Sequence, residues 1–378
     1  MGTEEIARES QLLDRLDLGE IEVADIPPWY RRHLQVLEAH KVNPCLCTCM
    51  PQGSADASGE SSIGGGIRSP DQAVVREIYD VVERHQFADY QPPDLSRAEG
   101  TVDLHVHVGP GRQDPLALAK HASNAGVRAL VLKNPFLGST VELANAATKK
   151  LLPWAEREGV TPVALIPGVV LNEKLGGLSA EAVDQALAAG AGVIWFPVLE
   201  AANHLERAKG MDSRAALEQG VVVLEGNNLT SQAAEVMARL AESDAAVSFG
   251  HLSAPEILAL AEEAERLGID RAFVDHPLSP VANLTLDEMS EIAGHGVTCN
   301  FTYWELSPYC GVSARDLVKA IRNVGVASAS LCSDAGMEIF PDSVECMRLH
   351  GALLDVYGFS AAEQETLLSG NPRRLLGI

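Results

Sequence analysis

From residue 101 onward, short runs of apolar and β-branched residues alternate with amphipathic stretches rich in Ala, Leu and Glu. Such runs predict buried strands, and the stretches between them have the spacing of helices with one apolar face. Several stretches end in glycine, as helix C-caps often do. Eight strands are predicted: Val102 to Val108, Arg128 to Leu132, Pro162 to Ile166, Gly192 to Val198, Ala245 to Gly250, Arg271 to Val274, Val297 to Phe301 and Ala327 to Cys332.

Strand and helix repeated eight times predict an α/β fold, the (β/α)8 or TIM barrel. A doubly wound sheet is the competing arrangement. It is disfavoured because the first run is not followed by the Gly-rich turn that dinucleotide-binding sheets need.

Two segments fall outside the repeat. Residues 206–229 contain VVVLEGN, which predicts a small hairpin above the barrel mouth. Residues 1–98 predict a mostly helical extension with a Ser/Gly-rich loop at residues 51–69, and residues 99–378 form the barrel domain. We interpret the extension as a cap over the barrel or an arm in a homo-oligomer. Its predicted helices are Glu4 to Leu16, Pro28 to His40 and Asp71 to His85.

Composition narrows the functional classes. A net charge of -23 disfavours nucleic-acid binding. No apolar run reaches membrane-spanning length, and the acidic start MGTEEIARES lacks the features of a signal peptide, so we expect a cytoplasmic protein. The 7 cysteines are an odd number, which is more typical of reduced thiols than of a framework of disulfides. Cys45, Cys47 and Cys49 lack zinc-knuckle spacing and are interpreted as part of a loop.

Polar side chains stand at the ends of several predicted strands. In the first, TVDLHVHVGPG, alternation predicts Asp103, His105 and His107 on one face. The carboxyl ends of barrel strands meet at one rim, where barrel enzymes hold their active sites. Five candidate ligands are predicted there: His105, His107, His251, His276 and Asp334. Imidazole and carboxylate predict a centre for one or two divalent transition-metal ions, Zn or Fe, with Mn as a further candidate.

The other histidines are assigned to packing or to the surface, with one exception. His204, after strand four, is a candidate for supporting a ligand or contacting substrate. The segment NFTYWELSPY after strand seven offers Tyr303, Trp304, Glu305 and Tyr309 as a substrate wall, although aromatic rings there could equally pack under a loop.

The His-x-His pair on strand one, the histidines ending strands five and six and the aspartate ending strand eight resemble the amidohydrolase superfamily of metal-dependent barrel hydrolases. The resemblance runs from residue 101 to the tail SGNPRRLLGI. More narrowly, DLHVHVGP, VLKNP and SDAG are similar to a branch of small barrel proteins within that superfamily. The resemblance implies a metal-dependent hydrolase with the five rim residues as ligands.

The chain departs from this superfamily at strand four. Many binuclear members carry a carboxylated lysine or a glutamate there as a metal bridge, whereas this chain has Phe196-Pro197. Glu200 follows a few residues later and is a substrate-contact candidate, and Lys133 is the lysine at a strand end. Lys133 is either a bridging carbamate or an ammonium that binds an anionic substrate. No flanking β-sandwich is expected.

Hydrolysis is the leading functional interpretation. Metal-activated water would attack an amide, lactam or ester-like bond of a small molecule, Asp334 would transfer the proton, and Lys133 or the metal would stabilise the oxyanion. The alternative is oxygenation, because the missing strand-four bridge is similar to nonheme diiron monooxygenases of this barrel type, known from platensimycin and platencin biosynthesis, with a CoA-linked substrate. Decarboxylation, deamination and noncatalytic metal binding remain open.

Overall fold

The computed structural model describes residues 62–63, 67–68, 95–337 and 340–378. Eight parallel strands form one sheet in which each strand pairs with the next along the chain. This confirms the barrel predicted from the apolar runs. The strands are β1 (Val102–His107), β2 (Ala129–Lys133), β3 (Ala164–Val170), β4 (Val193–Trp195), β5 (Ala246–Ser248), β6 (Ala272–Asp275), β7 (Thr298–Thr302) and β8 (Ala329–Cys332).

The barrel closes between its first and last strands. Val106 in β1 bridges Ala335, just beyond β8, and the backbone N–H of Asp334 donates to the carbonyl of His105 at 2.9 Å. Gly336 makes the approach possible: its φ is +133°, and a Cβ there would lie 2.3 Å from the carbonyl oxygen of His107. His105 and Asp334, two of the predicted metal ligands, therefore lie at the junction that closes the barrel.

Helices surround the sheet, and their starts and ends follow from local sequence. At α7, Ser253 and Glu256 form a capping box, and Gly268 ends the helix in the left-handed region. The helices are α1 (Pro115–Asn124), α2 (Val141–Glu158), α3 (Ala180–Ala188), α4 (Ala202–Arg207), α5 (Ser213–Gln219), α6 (Ser231–Ala241), α7 (Ala254–Leu267), α8 (Leu286–Gly294), α9 (Ala314–Val324), α10 (Ser343–Val356), α11 (Ala361–Glu365) and α12 (Asn371–Leu376).

Shorter elements complete the described chain. The predicted hairpin is present as Leu224–Glu225 paired with Asn228–Leu229, after α4 and α5. Short 3₁₀ helices lie at Leu95–Ala98, Glu173–Leu175, Tyr303–Leu306 and Val326–Ser328, and a π-helix at Thr366–Gly370. None of the described helices is both long and apolar enough to cross a membrane.

Strand β1 changes the face it presents partway along its length. Val102 and Leu104 pack inside the barrel with Trp195, whereas Val106 packs with Leu130 in the layer under the helices. The pairing register with β2 shifts between residues 103 and 106, as expected for a bulge. The predicted strict alternation is therefore wrong.

Asp103 is the residue affected by that shift. Its carboxylate accepts hydrogen bonds from Ser343 Oγ on α10 at 2.5 Å and from the backbone of Ser333 at 3.0 Å. Asp103 thus fastens β1 to β8 and α10 and does not share a face with the two histidines.

Few residues of the predicted extension are among those that the structure describes. Ser62–Ile63 pairs antiparallel with Ile67–Arg68 within the segment predicted as a Ser/Gly-rich loop. The three predicted N-terminal helices, the cap or oligomer role and the cysteines at positions 45, 47 and 49 lie outside the described residues.

Candidate metal centre

Three ligand atoms converge at the junction of β1 and β8. His105 Nε2 and His107 Nε2 lie 3.0 Å apart, and Asp334 Oδ1 lies 3.3 Å and 3.1 Å from them respectively. Tetrahedral ligands about 2.0–2.1 Å from a zinc ion lie about 3.3–3.4 Å from one another, so these separations suit a bound cation. Because of the bulge in β1, the imidazole rings of His105 and His107 both approach Asp334 Oδ1.

The protonation state of the two imidazoles also suits a metal ion. Burial lowers the pKa of His105 to about 4, and burial and the nearby charge of Lys133 lower the pKa of His107 well below its usual value. Both rings are therefore neutral at neutral pH and offer lone pairs, as metal binding requires. The donor set fits a divalent transition metal.

Asp275, at the end of β6, supports His105 from behind. Its Oδ1 lies 3.4 Å from His105 Nδ1, a contact without hydrogen-bond geometry in which the carboxylate favours a hydrogen on Nδ1 and a lone pair on Nε2. Burial raises the pKa of Asp275, but its interactions with His105 and the charge of Lys133 outweigh burial and hold the pKa below its usual range. Sequence reasoning missed this residue, although it directly precedes His276 at the end of a predicted strand.

Asp275 is also the hub of a polar network across the barrel. It accepts hydrogen bonds from Trp195 Nε1 at 2.6 Å, Ser248 Oγ at 2.9 Å and Asn300 Nδ2 at 2.7 Å. Strands β4 to β7 are thus joined at one carboxylate. Cys332 on β8 lies close to Asp275 and His105, but Asp275 already accepts hydrogen bonds from three side chains. We therefore assign Asp275 to support and not to ligation.

Beyond His105, three more imidazoles continue a row inside the barrel. Ring centroids are 6.0 Å apart between His105 and His276, 5.0 Å between His276 and His251, and 4.9 Å between His251 and His204. All are nearly fully buried. The structure thus brings the ligand atoms of His105, His107 and Asp334 together, and the rings of His276, His251 and His204 form a row that starts at His105.

Two ligand candidates have strained backbones. His276 has φ +37° and Asp334 has φ +52°, in the left-handed region that residues other than glycine rarely adopt. Such strain persists where the surrounding structure imposes it and clusters at functional sites. His276 Nδ1 is held by Ser279 Oγ at 3.1 Å.

Lys133 lies beside the metal centre. It pairs in register with His107 across β1 and β2, is 1% exposed, and places its Nζ 5.0 Å from the ring centroid of Trp195. The side chain is thus inside the barrel and not on its surface.

The substrate-contact candidates have varied surroundings. Glu200 accepts a hydrogen bond from the backbone of Glu173 at 2.5 Å. Trp304 stacks on Tyr309 with centroids 5.5 Å apart, and Tyr303 contacts the ring of His350 at 5.3 Å. These aromatic rings pack in the loop after β7.

Glu305, in the same loop, is fully buried. It accepts hydrogen bonds at 2.6 Å from the backbone N–H groups of Leu278 and Thr302. Glu305 thereby ties the loop after β7 to the loop after β6, which carries His276.

Comparison with solved structures places the barrel among known folds. An amidohydrolase from Pseudomonas aeruginosa is similar with 12% identity and a TM-score of 0.52, over 76% of this chain and 98% of that chain. An amidohydrolase from Burkholderia multivorans with bound zinc has 15% identity and a TM-score of 0.44, over 74% and 99%. A 2,6-dihydroxybenzoate decarboxylase from Rhizobium has 12% identity and a TM-score of 0.41, over 74% and 99%. At 12% identity, the similarity to the Pseudomonas aeruginosa structure shows a shared fold and nothing more.

Comparison with curated proteins gives no match. A family model described as "Family of unknown function (DUF6282)" matches residues 100–300, which contain four of the five rim residues. Because this match spans more than half of the chain, the protein belongs to that family.

Proposed function

We propose that this protein is a metal-dependent hydrolase of the amidohydrolase superfamily, acting on an amide, lactam or ester-like bond of a small molecule. The observation that carries the proposal is the convergence of His105 Nε2, His107 Nε2 and Asp334 Oδ1 within 3.0–3.3 Å of one another. These three atoms lie at the carboxyl ends of barrel strands, where barrel enzymes have their active sites.

These three residues would hold the metal ion, with His251 and His276 as further ligands. When bound, the ion supplies a Lewis acid that makes hydroxide available from water near neutral pH. A carboxylate oxygen of Asp334 accepts the proton of the attacking water and returns it to the leaving group. Lys133, paired with His107 across β1 and β2, contributes positive charge to the site. Burial of the imidazoles keeps bulk water from competing for the lone pairs.

Metal content tests the site. We expect His105→Ala combined with His107→Ala to lose most of the metal that the wild-type chain retains through purification, with an unchanged circular dichroism spectrum. The matched control is His121→Ala with His295→Ala, because these histidines pair with Asp342 and Glu265 outside the barrel. Full metal retention in the first variant would contradict the assignment.

Reconstitution tests the reaction. Metal-free protein should hydrolyse small amides, lactams or esters when loaded with Zn²⁺, equally with and without oxygen, because zinc is a Lewis acid without redox chemistry. The comparisons add no support for the resemblance to diiron monooxygenases, and oxygenation is an outcome of this test. Oxygen uptake that requires Fe²⁺ and is inhibited by Zn²⁺ would overturn hydrolysis in its favour.

A further inference from the structure

The side chain of Lys133 is nearly fully enclosed, yet among the described residues its ammonium makes no hydrogen bond and no ion pair within 4.0 Å, and its charge acts on Asp275 only from a longer distance. An enclosed charge without a partner is costly, so such groups are normally paired. The two carboxylates nearest the centre are already engaged. Asp275 accepts from three strands, and Asp334 faces His105 and His107.

The surroundings of Lys133 favour the ammonium over a carbamate. The Nζ lies 5.0 Å from the ring centroid of Trp195, and the negative face of an indole attracts a cation and repels an anion. Trp195 itself is fixed by its hydrogen bond to Asp275, so the ring cannot turn away without losing it.

Lys133 brings one positive charge to the centre, on the strand next to His107. A charge-assisted hydrogen bond from Lys133 Nζ to an anion would supply the partner that this ammonium lacks. One enclosed ammonium matches the single charge of a carboxylate better than the double charge of a phosphate.

We propose that Lys133 is the binding point for a carboxylate group of the substrate, so that the protein acts on carboxylic acids. The inference rests on the proposed function, since it concerns the same site. Lys133 Nζ donates to the carboxylate, and the bond to be cleaved is thereby held next to His107, the neighbour of Lys133 across β1 and β2. Neutral molecules of the same shape lack this contact.

Binding of small probes tests the inference without turnover. We measure by calorimetry the affinity of the full-length chain, as purified, for butyrate against butyramide, benzoate against benzamide, and inorganic phosphate. The carboxylates should bind about 10- to 100-fold more tightly than their amides, as expected for one charge-assisted hydrogen bond in an enclosed site. Equal binding of acid and amide, or tighter binding of phosphate, would overturn the proposal.

Lys133→Met then assigns the effect to this side chain. The preference for carboxylates should disappear while metal content stays at the wild-type level. Lys120→Met is the matched control, since Lys120 also stacks on a tryptophan, Trp154, with 5.4 Å from its Nζ to the ring centroid, but lies outside the barrel on α1. A preference that survives in Lys133→Met would place the carboxylate on the metal and contradict the role of Lys133.

Two further outcomes remain decisive. If Lys133→Met loses its metal, and wild-type loading depends on bicarbonate, Lys133 is a carbamate ligand and the proposal fails. If Lys133→Met does not fold, Lys133→Gln replaces it, and the wild-type comparison of acids with amides still decides. Failure to detect hydrolysis leaves the binding result intact, whereas failure of carboxylate binding leaves the metal site and the hydrolase proposal standing.

Discussion

The Nδ1 atoms of His204 and His251 lie 2.7 Å apart, so the N–H of one ring donates a hydrogen bond to the Nδ1 of the other. If His251 binds metal through Nε2, its Nδ1 carries the hydrogen and His204 Nδ1 accepts it. His204 is fully buried, and its Nε2 has no hydrogen-bond partner among the described side chains. Burial lowers the pKa of His204 to about 3, so the ring stays neutral and able to accept.

Replacement of His204 should therefore weaken metal binding. We expect His204→Ala to lower metal affinity about 10- to 100-fold, the usual cost of losing a partner behind a ligand. His204→Asn should retain most of the affinity, because an amide oxygen can take the place of Nδ1. Metal titration by competition with a chelator measures both. Equal losses in the two variants would show that the ring matters only for packing.

Asp275 is the second residue with a specific expectation. Asp275→Asn replaces one carboxylate oxygen, in a group that accepts three buried hydrogen bonds, by an amide that must donate, so at least one buried donor loses its acceptor. The free energy of unfolding should fall by about 3 kcal/mol or more. Urea denaturation measures it. Asp244→Asn, at a fully exposed carboxylate, should leave the free energy of unfolding nearly unchanged.

The sequence could predict the ligand candidates and His204 as a supporting residue, but not Asp275. His105, His107 and Asp334 are recognisable because polar groups at strand ends are chemically conspicuous. Asp275 is equally buried, but its role depends on Ser248 and on other donors from neighbouring strands, which no local pattern reveals. Lys133 was a candidate because it stands at the end of a predicted strand. That its ammonium has no hydrogen-bond partner among the described residues can be seen only in the folded structure.

The connection between the loops after β6 and β7 depends on one carboxyl group. Burial raises the pKa of Glu305 to about 8, above its value in the unfolded chain. The folded state therefore holds a proton that the unfolded state releases at lower pH, and Glu305 opposes folding increasingly as pH rises from about 4.5 to about 8. Below that window both states are protonated, and above it both are ionised.

Glu305→Gln removes this titration. The unfolding free energy of the wild type minus that of the variant should decrease as pH rises from about 5 to about 8, and should be constant on either side. Urea denaturation at several pH values measures the difference, in which other titrating groups cancel. A difference that does not vary with pH would show that Glu305 is ionised throughout.

At the level of elements, periodicity predicted all eight strands because each is an apolar run between amphipathic helices. The ends were less accurate. β3 continues to Val170 through Pro167 and Gly168, residues that normally signal a strand end. The bulge in β1 was missed, since nothing in VDLHVH distinguishes regular alternation from a local shift imposed by closure against β8.

At the scale of the whole molecule, a metal ion at this centre would join the two strands that close the barrel. Any ligand that binds only the folded state stabilises it by mass action, by about 4 kcal/mol when its concentration is about 1,000 times Kd. Zn²⁺ should therefore raise the thermal midpoint of metal-free wild type in differential scanning calorimetry. The variant with both His105→Ala and His107→Ala should show no rise, and an equal rise would place the stabilising ion elsewhere.

The closure between β1 and β8 has a consequence for the order of events during synthesis. His105 and Ser333, whose hydroxyl donates to the carbonyl of His105, are 228 positions apart, and Asp334 comes later still. A ribosome delivers the two histidines long before the carboxylate that completes the set. A nascent chain that stops short of β8 therefore lacks Asp334, and the three converging ligands can meet only after β8 has been made. Metal uptake would thus report that translation has passed the last strand.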